Sequence, residues 1–272
     1  MKVRVCKKEN VLFALKVIFT PVVLFAIIIG FAFCVMDTNP EEVSPLAVLP
    51  VFIFYFLLIA VWVYFRKIFL VGYLKGNGVE INQEQFPEFY VFYQKMAEEL
   101  NMKKLPPLFV LQEGGSLNAF AIRFSCKNYI AIFSDIFELY DTEPEVVKFV
   151  LAHELGHVKR NHLQKRFWTG LSSLIPFLGA AYSRACEYTC DNIGCDLSEN
   201  GAEKGLLVLA AGKSLYAKMN AAKYIENAKK SRSASVVFSE LCSSHPYLPN
   251  RIKNIQNAPK AETAVAAEAQ EN

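Results

Sequence analysis

The residues best suited to chemistry lie close together in LAHELGHVKRNH, residues 151–162, which hold three of the chain's four histidines. On an α-helix, positions four apart project from nearly the same face, so His153 and His157 can direct their imidazoles at one metal ion. Glu154 lies one turn before His157 and leans toward that face. This arrangement predicts a Zn²⁺ site at which the glutamate takes a proton from the water on the metal.

A third ligand is expected downstream, because a catalytic zinc ion usually has three protein ligands and one open position. The segment SRACEYTCD, residues 183–191, places Glu187 and Asp191 four residues apart. We expect Glu187 to bind the metal and Asp191 to accept a hydrogen bond from a liganding histidine, which fixes the tautomer of that ring. His162 would point away from His153 on a continuous helix, so we expect it to be a surface or core histidine.

Cys186 and Cys190 are the alternative ligands, because they also stand four residues apart in the same segment. Two histidines and two thiolates would close the coordination shell and make the site structural. A closed site leaves Glu154 without a role. The H-E-x-x-H spacing, which is typical of zinc peptidases, therefore favours the open arrangement.

From about residue 84 to residue 255, the chain resembles the HtpX-like membrane zinc endopeptidases, a family that includes the CAAX prenyl protease. The resemblance rests on four motifs in the same order and with similar spacing: LNAFA (117–121), LAHELGH (151–157), SRACEYTCD (183–191) and SSHPYLPNRI (243–252). It implies an α+β, zincin-like fold, one Zn²⁺ per chain and a protein or peptide substrate.

The resemblance also implies a role for individual residues: zinc ligands His153, His157 and Glu187, catalytic base Glu154, supporting aspartate Asp191, substrate-binding Asn118, and the pair His245 and Arg251 beside the metal. Peptide hydrolysis passes through a tetrahedral oxyanion, for which His245 is the expected donor. Arg251 is expected to orient His245 or to pair with a carboxylate. Asn118 lies in a β-rich run whose strand is expected to bind extended substrate by strand addition.

Two long uncharged runs occupy the first quarter of the chain, at residues 17–36 and 45–65. Each is long enough to cross a hydrocarbon core of about 30 Å as a helix, with Pro21 and Pro50 tolerated as kinks. Lysine and arginine flank the pair at its outer ends, whereas the link at 37–44 is acidic. The positive-inside rule therefore predicts a two-pass protein of the inner or plasma membrane, with the rest of the chain in the cytoplasm.

The composition fits a lipid bilayer as a partner and does not favour nucleic acid, while the resemblance implies the protein or peptide substrate. Hydrophobic residues make up 53% of the 272 residues, and the formal net charge is +3. That charge is too small and too dispersed to favour nucleic-acid binding. Seven cysteines, an odd number, fit free thiols in a reducing compartment better than a disulfide framework.

The pattern divides the chain into a membrane anchor at 1–75, a metallopeptidase domain at 76–258 and a disordered tail at 259–272. Within the domain, periodicity and turn signals predict short strands with a hairpin at 125–128, and helices at 84–100, 143–167, 183–197 and 202–230. The helix at 143–167 is expected to begin with a capping box at residues 142–145.

The apolar segment at 167–182 is short for a membrane span. HtpX-like members often carry two further spans here, whereas in this chain only 29 residues separate His157 from Glu187. One interpretation is an interfacial or re-entrant loop with Trp168 at the level of the lipid headgroups. The interpretation that we favour is a buried connection between helices.

Together these features predict a membrane-anchored zinc endopeptidase that hydrolyses protein substrates through a zinc-bound water activated by Glu154. The resemblance points to quality control of membrane proteins. The alternative is a non-catalytic binding or chaperone-like module that keeps zinc for stability, and a third is a scaffold whose motif is accidental. Glu154 argues against the second, because a purely structural zinc site does not need it.

Overall fold

The computed structural model describes residues 3–36, 45–112 and 118–257, so the predicted acidic link at 37–44 and tail at 259–272 lie outside the described residues. The helices are α1 Lys7–Met36, α2 Pro45–Asn77, α3 Pro87–Glu99, α4 Ser134–Phe137, α5 Pro144–Lys159, α6 His162–Trp168, α7 Leu178–Leu197, α8 Gly201–Ala211, α9 Ala221–Lys230, α10 Ala234–Cys242 and α11 Leu248–Gln256. The strands are β1 Val79–Glu80, β2 Leu108–Leu111, β3 Ala119–Phe124 and β4 Lys127–Phe133. The predicted α+β fold class is confirmed.

The first two helices are longer than the predicted membrane spans. Each is long and apolar enough to cross a membrane, and almost all of its apolar surface is exposed. Pro21 and Pro50 lie inside these helices, as expected. Because α1 begins at Lys7 and α2 continues to Asn77, both helices extend beyond the uncharged runs and contact the rest of the protein.

The small sheet has the strand order β1-β2-β4-β3, which leaves β3 at one edge. Strands β3 and β4 form the predicted hairpin, and its turn places Ser125 and Cys126 at positive φ. Strand β2 pairs with β4 in parallel, and β1 pairs with β2. The sequence had indicated only a connector, and no strand, in the segment that forms β1. The free edge of β3 faces α5, the helix that carries the H-E-x-x-H motif.

The predicted helix at 143–167 is interrupted at residues 160–161 and forms two helices. Helix α5 ends at Lys159, and Asn161 adopts a left-handed conformation with φ 55° before α6 begins at His162. Asparagine is among the few residues that tolerate this conformation, which ends the regular helix. The capping box does not form either, because Glu143 occupies the N-cap position and no side chain caps the helix.

The predicted helix at 202–230 is also interrupted. Helix α8 ends at Ala211, and Gly212 follows with φ 87°, a conformation that glycine adopts without strain. A 3₁₀ turn at Tyr216–Lys218 precedes α9, which Asn220 caps by accepting a hydrogen bond from the backbone of Lys223. Helices α10 and α11 had no counterpart in the sequence prediction.

Glycines let three helices pack closely around the motif. A Cβ on Gly156 of α5 would lie 3.1–3.2 Å from Ile193 and Cys190 of α7, so this glycine does let another segment pass close by. The ring of Phe149, one turn before His153, lies between two glycines of α7 and α8, Gly194 and Gly205. A Cβ at either position would lie 2.6 Å from a ring carbon.

Replacing Gly194 with alanine is expected to destabilise the domain by about 1–3 kcal/mol, because the Phe149 ring has no room to move away. Helix propensity alone predicts the opposite sign, a gain of about 1 kcal/mol. Gly76→Ala in α2 is the matched control, since its added methyl meets nothing within 4 Å. Thermal unfolding in detergent measures both variants, and a Tm for Gly194→Ala at or above that of the wild type would contradict this packing.

The segment at 167–182 does not form a buried connection, contrary to the interpretation favoured from sequence. Phe167, Trp168 and Leu174 are 64%, 68% and 66% exposed. Lys67 of α2 lies over the Phe167 ring, 5.3 Å from its centroid. Phe167 and Trp168 therefore lie beside Tyr64 and Lys67 of α2, at the end of the predicted second span, where an interfacial loop would place them.

Candidate metal centre

His153 and His157 of α5 and Glu187 of α7 bring three metal-binding groups together. The Nε2 atoms of the two histidines lie 3.3 Å apart. One carboxylate oxygen of Glu187 lies 3.3 Å from Nε2 of His153, and the other lies 3.4 Å from Nε2 of His157. The i, i+4 spacing on α5 therefore directs both rings at one position, and α7 supplies a carboxylate there.

The arrangement fits a zinc ion. Ligand atoms about 2.0–2.1 Å from a tetrahedral metal lie about 3.3 Å from one another, which matches the observed separations. Two imidazole nitrogens and a carboxylate oxygen also form one of the usual ligand sets of catalytic zinc. Three such ligands leave a fourth position for water or substrate.

A buried ion pair between Asp191 and Arg251 contacts the Nδ1 side of the His153 ring. Its Nδ1 lies 3.0 Å from Oδ1 of Asp191, which assigns the proton to Nδ1 and leaves Nε2 for a metal. Arg251 donates to both oxygens of Asp191, from Nε at 2.8 Å and from Nη2 at 2.6 Å. Burial opposes the charge on Asp191, but the guanidinium outweighs it and lowers the pKa of the carboxyl. Arg251 thus pairs with a carboxylate, the second of its two predicted roles.

The carboxylates favour positive charge at this position. Burial opposes protonation of His153, but Asp191 and Glu187 outweigh it and raise the pKa of His153 to about 10. Burial likewise opposes the charge on Glu187, yet the two histidines hold its pKa well below the usual value. The site therefore stabilises a cation between the rings and Glu187, whether that cation is a proton or a metal ion.

His162 is a core histidine, one of the two expected outcomes, but its ring contacts the motif instead of facing away from it. Because Asn161 interrupts the helix, the continuous-helix angle does not apply, and Nδ1 of His162 lies 3.1 Å from Nδ1 of His157. The side chain is 1% exposed, and burial lowers its pKa to about 4, so the ring is neutral at pH 7. The angle predicted for His162 assumed a continuous helix, and the left-handed conformation of Asn161 breaks that continuity.

The closed site of two histidines and two cysteines is not assembled. Among the described residues, Cys186 groups with Glu9 and His162, while Cys190 groups with the two motif histidines. The Sγ of Cys190 lies 3.7 Å from Nδ1 of His162. Cys186 and Cys190 therefore belong to different clusters.

Glu187 and Cys190 both lie near the two motif histidines, but they differ in charge and position. Burial raises the pKa of the Cys190 thiol well above its usual value, so this sulfur carries a proton in the metal-free protein. Glu187 is already ionised, and its two oxygens face the two Nε2 atoms. The charge and the position of Glu187 therefore both favour this carboxylate as the third ligand.

A cleft of ≈ 240 Å³ opens onto these groups. Glu154 lines it and is 8% exposed. The edge strand β3 lies along the cleft, and Asn118 stands exposed just before this strand. The carbonyl of Asn118 accepts a hydrogen bond from Phe133 at 3.0 Å, and its side-chain oxygen accepts one from Ala119 at 2.9 Å. Asn118 is therefore fixed at the mouth of the cleft.

His245 approaches the same groups from the loop between α10 and α11. Its Nε2 lies 3.5 Å from Oε1 of Glu187, and the side chain is 64% exposed. Arg184 of α7 holds this loop, because one of its nitrogens donates to the carbonyls of Glu240, Leu241 and Ser243 at 2.7–2.9 Å. His245 is thus placed beside the cleft by a contact that the sequence did not reveal.

Comparison with known families agrees with this geometry. A sequence profile of Peptidase family M48 matches residues 84–181 and 163–258, well over half of the chain. The chain belongs to peptidase family M48. This is the family of HtpX and of the CAAX protease, and its members are metallopeptidases, typically dependent on zinc. Comparison with curated proteins gives no match.

Two buried residues next to the motif, Glu9 and His162, were not part of the site predicted from sequence. Glu9 lies on α1 in the predicted anchor, yet it is completely buried and its Oε1 lies 3.2 Å from Nε2 of His162. A signal for it existed, because Glu9 is the only acidic residue among the first 36. No sequence pattern, however, indicated a contact across about 150 positions.

Proposed function

We propose that this M48 chain is a membrane-anchored zinc endopeptidase that hydrolyses peptide bonds of protein substrates. The observation that carries the proposal is the meeting of Nε2 of His153, Nε2 of His157 and the carboxylate of Glu187 at 3.3–3.4 Å, in a cleft that Glu154 also lines. Zinc, when bound, supplies a Lewis acid for the scissile carbonyl and makes a water molecule more acidic.

Four side chains take the remaining roles. Glu154 accepts the proton of the attacking water and passes it to the leaving amine. His245, exposed at the mouth of the cleft, donates a hydrogen bond to the oxyanion. Asp191 and Arg251 keep His153 in the tautomer that presents Nε2 to the metal.

The substrate is proposed to bind as an extended strand along β3. This strand is the edge of the sheet on the side of the cleft, so its free backbone groups can pair with a peptide. Asn118, at the start of β3, fixes the end of that binding edge. Proteins of the membrane itself, damaged or misassembled, are the proposed natural substrates, because α1 and α2 would hold the cleft near the bilayer.

Metal removal tests the proposal. The purified full-length protein is expected to contain one zinc ion per chain and to cleave an unfolded protein such as casein. A chelator should abolish cleavage, and stoichiometric Zn²⁺ should restore it, because the two histidines and Glu187 form one site. Full activity in metal-free protein would refute the peptidase mechanism, and bound zinc without any cleavage would favour a non-catalytic module.

The catalytic domain is proposed to lie in the cytoplasm, and cysteine labelling tests this. Cys126 and Cys242 are exposed on the domain. A membrane-impermeant maleimide is expected to label them in inverted membrane vesicles but not in sealed cells. A Cys126→Ser, Cys242→Ser double variant controls for labelling of other thiols. Strong labelling in sealed cells would place the domain on the opposite side of the membrane.

A further inference from the structure

Glu9 is an unusual residue for the start of an apolar helix, because its side chain is 0% exposed. Its Oε1 accepts hydrogen bonds from Arg160, from Nη2 at 2.9 Å and from Nε at 3.2 Å. The Nζ of Lys165 lies 3.8 Å from the same oxygen. A carboxylate is costly to bury unless it is paired. The cations explain how the buried charge of Glu9 is tolerated, but not why a carboxylate is needed there.

His162 connects this carboxylate to the metal centre. Its Nε2 lies 3.2 Å from Oε1 of Glu9, in a contact bent away from ideal hydrogen-bond geometry. Its Nδ1 lies 3.1 Å from Nδ1 of His157. A continuous line of contacts therefore joins α1 to the motif histidine, whose Nε2 faces Glu187.

The protons along this line can be assigned in one consistent direction. With Nε2 of His157 committed to a metal, Nδ1 of that ring carries the proton and donates to Nδ1 of His162. Neutral His162 then carries its own proton on Nε2, which faces the carboxylate of Glu9. The Nδ1–H of His157 then meets an acceptor, and the Nε2–H of His162 faces Oε1 of Glu9 at 3.2 Å, outside ideal hydrogen-bond geometry.

We infer that Glu9 and His162 are positioning residues of the metal site, with Glu9 fixing His162 and His162 orienting the ring of His157. The inference rests on the proposed function, because it needs a metal at Nε2 of His157. Carboxylates that hydrogen-bond a liganding histidine directly orient the ring and raise its basicity. Here a second histidine transmits that effect, and helix α1 is part of the peptidase site as well as an anchor.

Contacts on either side of Glu9 hold α1 in place. Before it, the backbone N–H of Cys6 donates to Oγ1 of Thr189 on α7 at 3.0 Å. After it, Nζ of Lys16 donates to Oγ of Ser173 at 2.7 Å. The first turns of α1 are thus fixed against the elements that form the metal site.

A second metal ion held by Glu9, His162 and Cys186 is the competing explanation, since their ligand atoms lie within 4.8 Å of one another. Two observations oppose it. Arg160 and Lys165 already supply positive charge to Glu9. Metal on Nε2 of His162 would also move the proton to Nδ1, and then the facing Nδ1 of His157 could no longer donate.

Zinc affinity of the full-length protein in detergent, measured by competition with a chelator, tests the inference. Glu9→Ala and His162→Phe are expected to weaken zinc binding about 10–100-fold, as loss of such a partner usually does. His162→Asn keeps an acceptor at the position of Nδ1, and Glu9→Gln keeps an acceptor for His162. Both variants are therefore expected to bind zinc more tightly than Glu9→Ala and His162→Phe. In Co²⁺-substituted protein, the visible absorption bands should shift in the two disruptive variants.

Lys16→Met is the matched control, because it removes another buried charge that docks α1 but does not touch His162. Its zinc affinity and Co²⁺ spectrum are expected to match the wild type. Equal loss in Lys16→Met and Glu9→Ala would overturn the inference in favour of simple helix docking. If circular dichroism shows that a variant at Glu9 or at His162 does not fold, the two variants at the other position test the inference.

The remaining outcomes separate the two proposals. Wild-type zinc binding that is unchanged in all the variants would overturn the positioning role and leave the proposed function standing. A wild type that binds no zinc would overturn both. Two zinc ions per wild-type chain, one of which is lost in Cys186→Ser, would replace the positioning role with a second metal site.

Discussion

Replacing Glu154 with glutamine is expected to leave one zinc ion bound and to lower kcat for peptide cleavage about 10²–10⁴-fold. The side chain lines the cleft beside the two histidines, but a different carboxylate, Glu187, lies against their Nε2 atoms. Glutamine keeps the shape of the side chain but cannot accept the proton of the attacking water. Positioned acid–base groups typically contribute 10²–10⁴-fold to the rate. Zinc content and cleavage of a labelled peptide are measured on the same preparation.

Glu84→Gln is the control for this variant, because the same chemical change is made at an exposed position away from the cleft. It should cleave at the wild-type rate. Retained activity in Glu154→Gln would remove Glu154 from the mechanism, and joint loss of zinc and activity would make it a ligand or a folding residue.

Replacing Glu187 with alanine is expected to weaken zinc binding by more than about 100-fold, beyond the 10–100-fold that loss of an outer partner causes. The variant removes the buried carboxylate that both Nε2 atoms face. Cys190→Ala is the matched comparison on the same helix, and we expect it to keep wild-type affinity. Chelator competition gives both values.

The opposite ranking would make Cys190 the third ligand. Strong binding by Glu187→Ala together with weak binding by Cys190→Ala would turn the site into one with two histidines and a thiolate. The buried thiol of Cys190, packed against Gly156, predicts instead a role in fitting α7 onto α5.

The sequence predicted the parts of the site that depend on helical spacing alone. His153 and His157 share a face of α5, and Glu187 and Asp191 share a face of α7, because residues four apart do so on any helix. The resemblance of four motifs added Asn118, His245 and Arg251, and the structure places all three on the same cleft. Their proposed chemical roles remain predictions.

The sequence failed where one residue changes the path of the chain or where distant segments meet. Asn161 ends the regular helix, so the angular estimate for His162 did not apply. Glu9 reaches the site from the far end of the sequence, through packing that no periodicity encodes. The exposure of Trp168 likewise depends on how the end of α6 lies against α2, which is a tertiary contact.

Zinc K-edge X-ray absorption of the purified, zinc-loaded protein tests the central claim most directly. The proposed ligands predict nitrogen and oxygen scatterers at about 2.0–2.1 Å, with the signature of two imidazoles and no sulfur. A sulfur scatterer at about 2.3 Å would identify Cys190 as a ligand and contradict the assignment of Glu187. A spectrum without imidazole would contradict the metal site at His153 and His157 altogether.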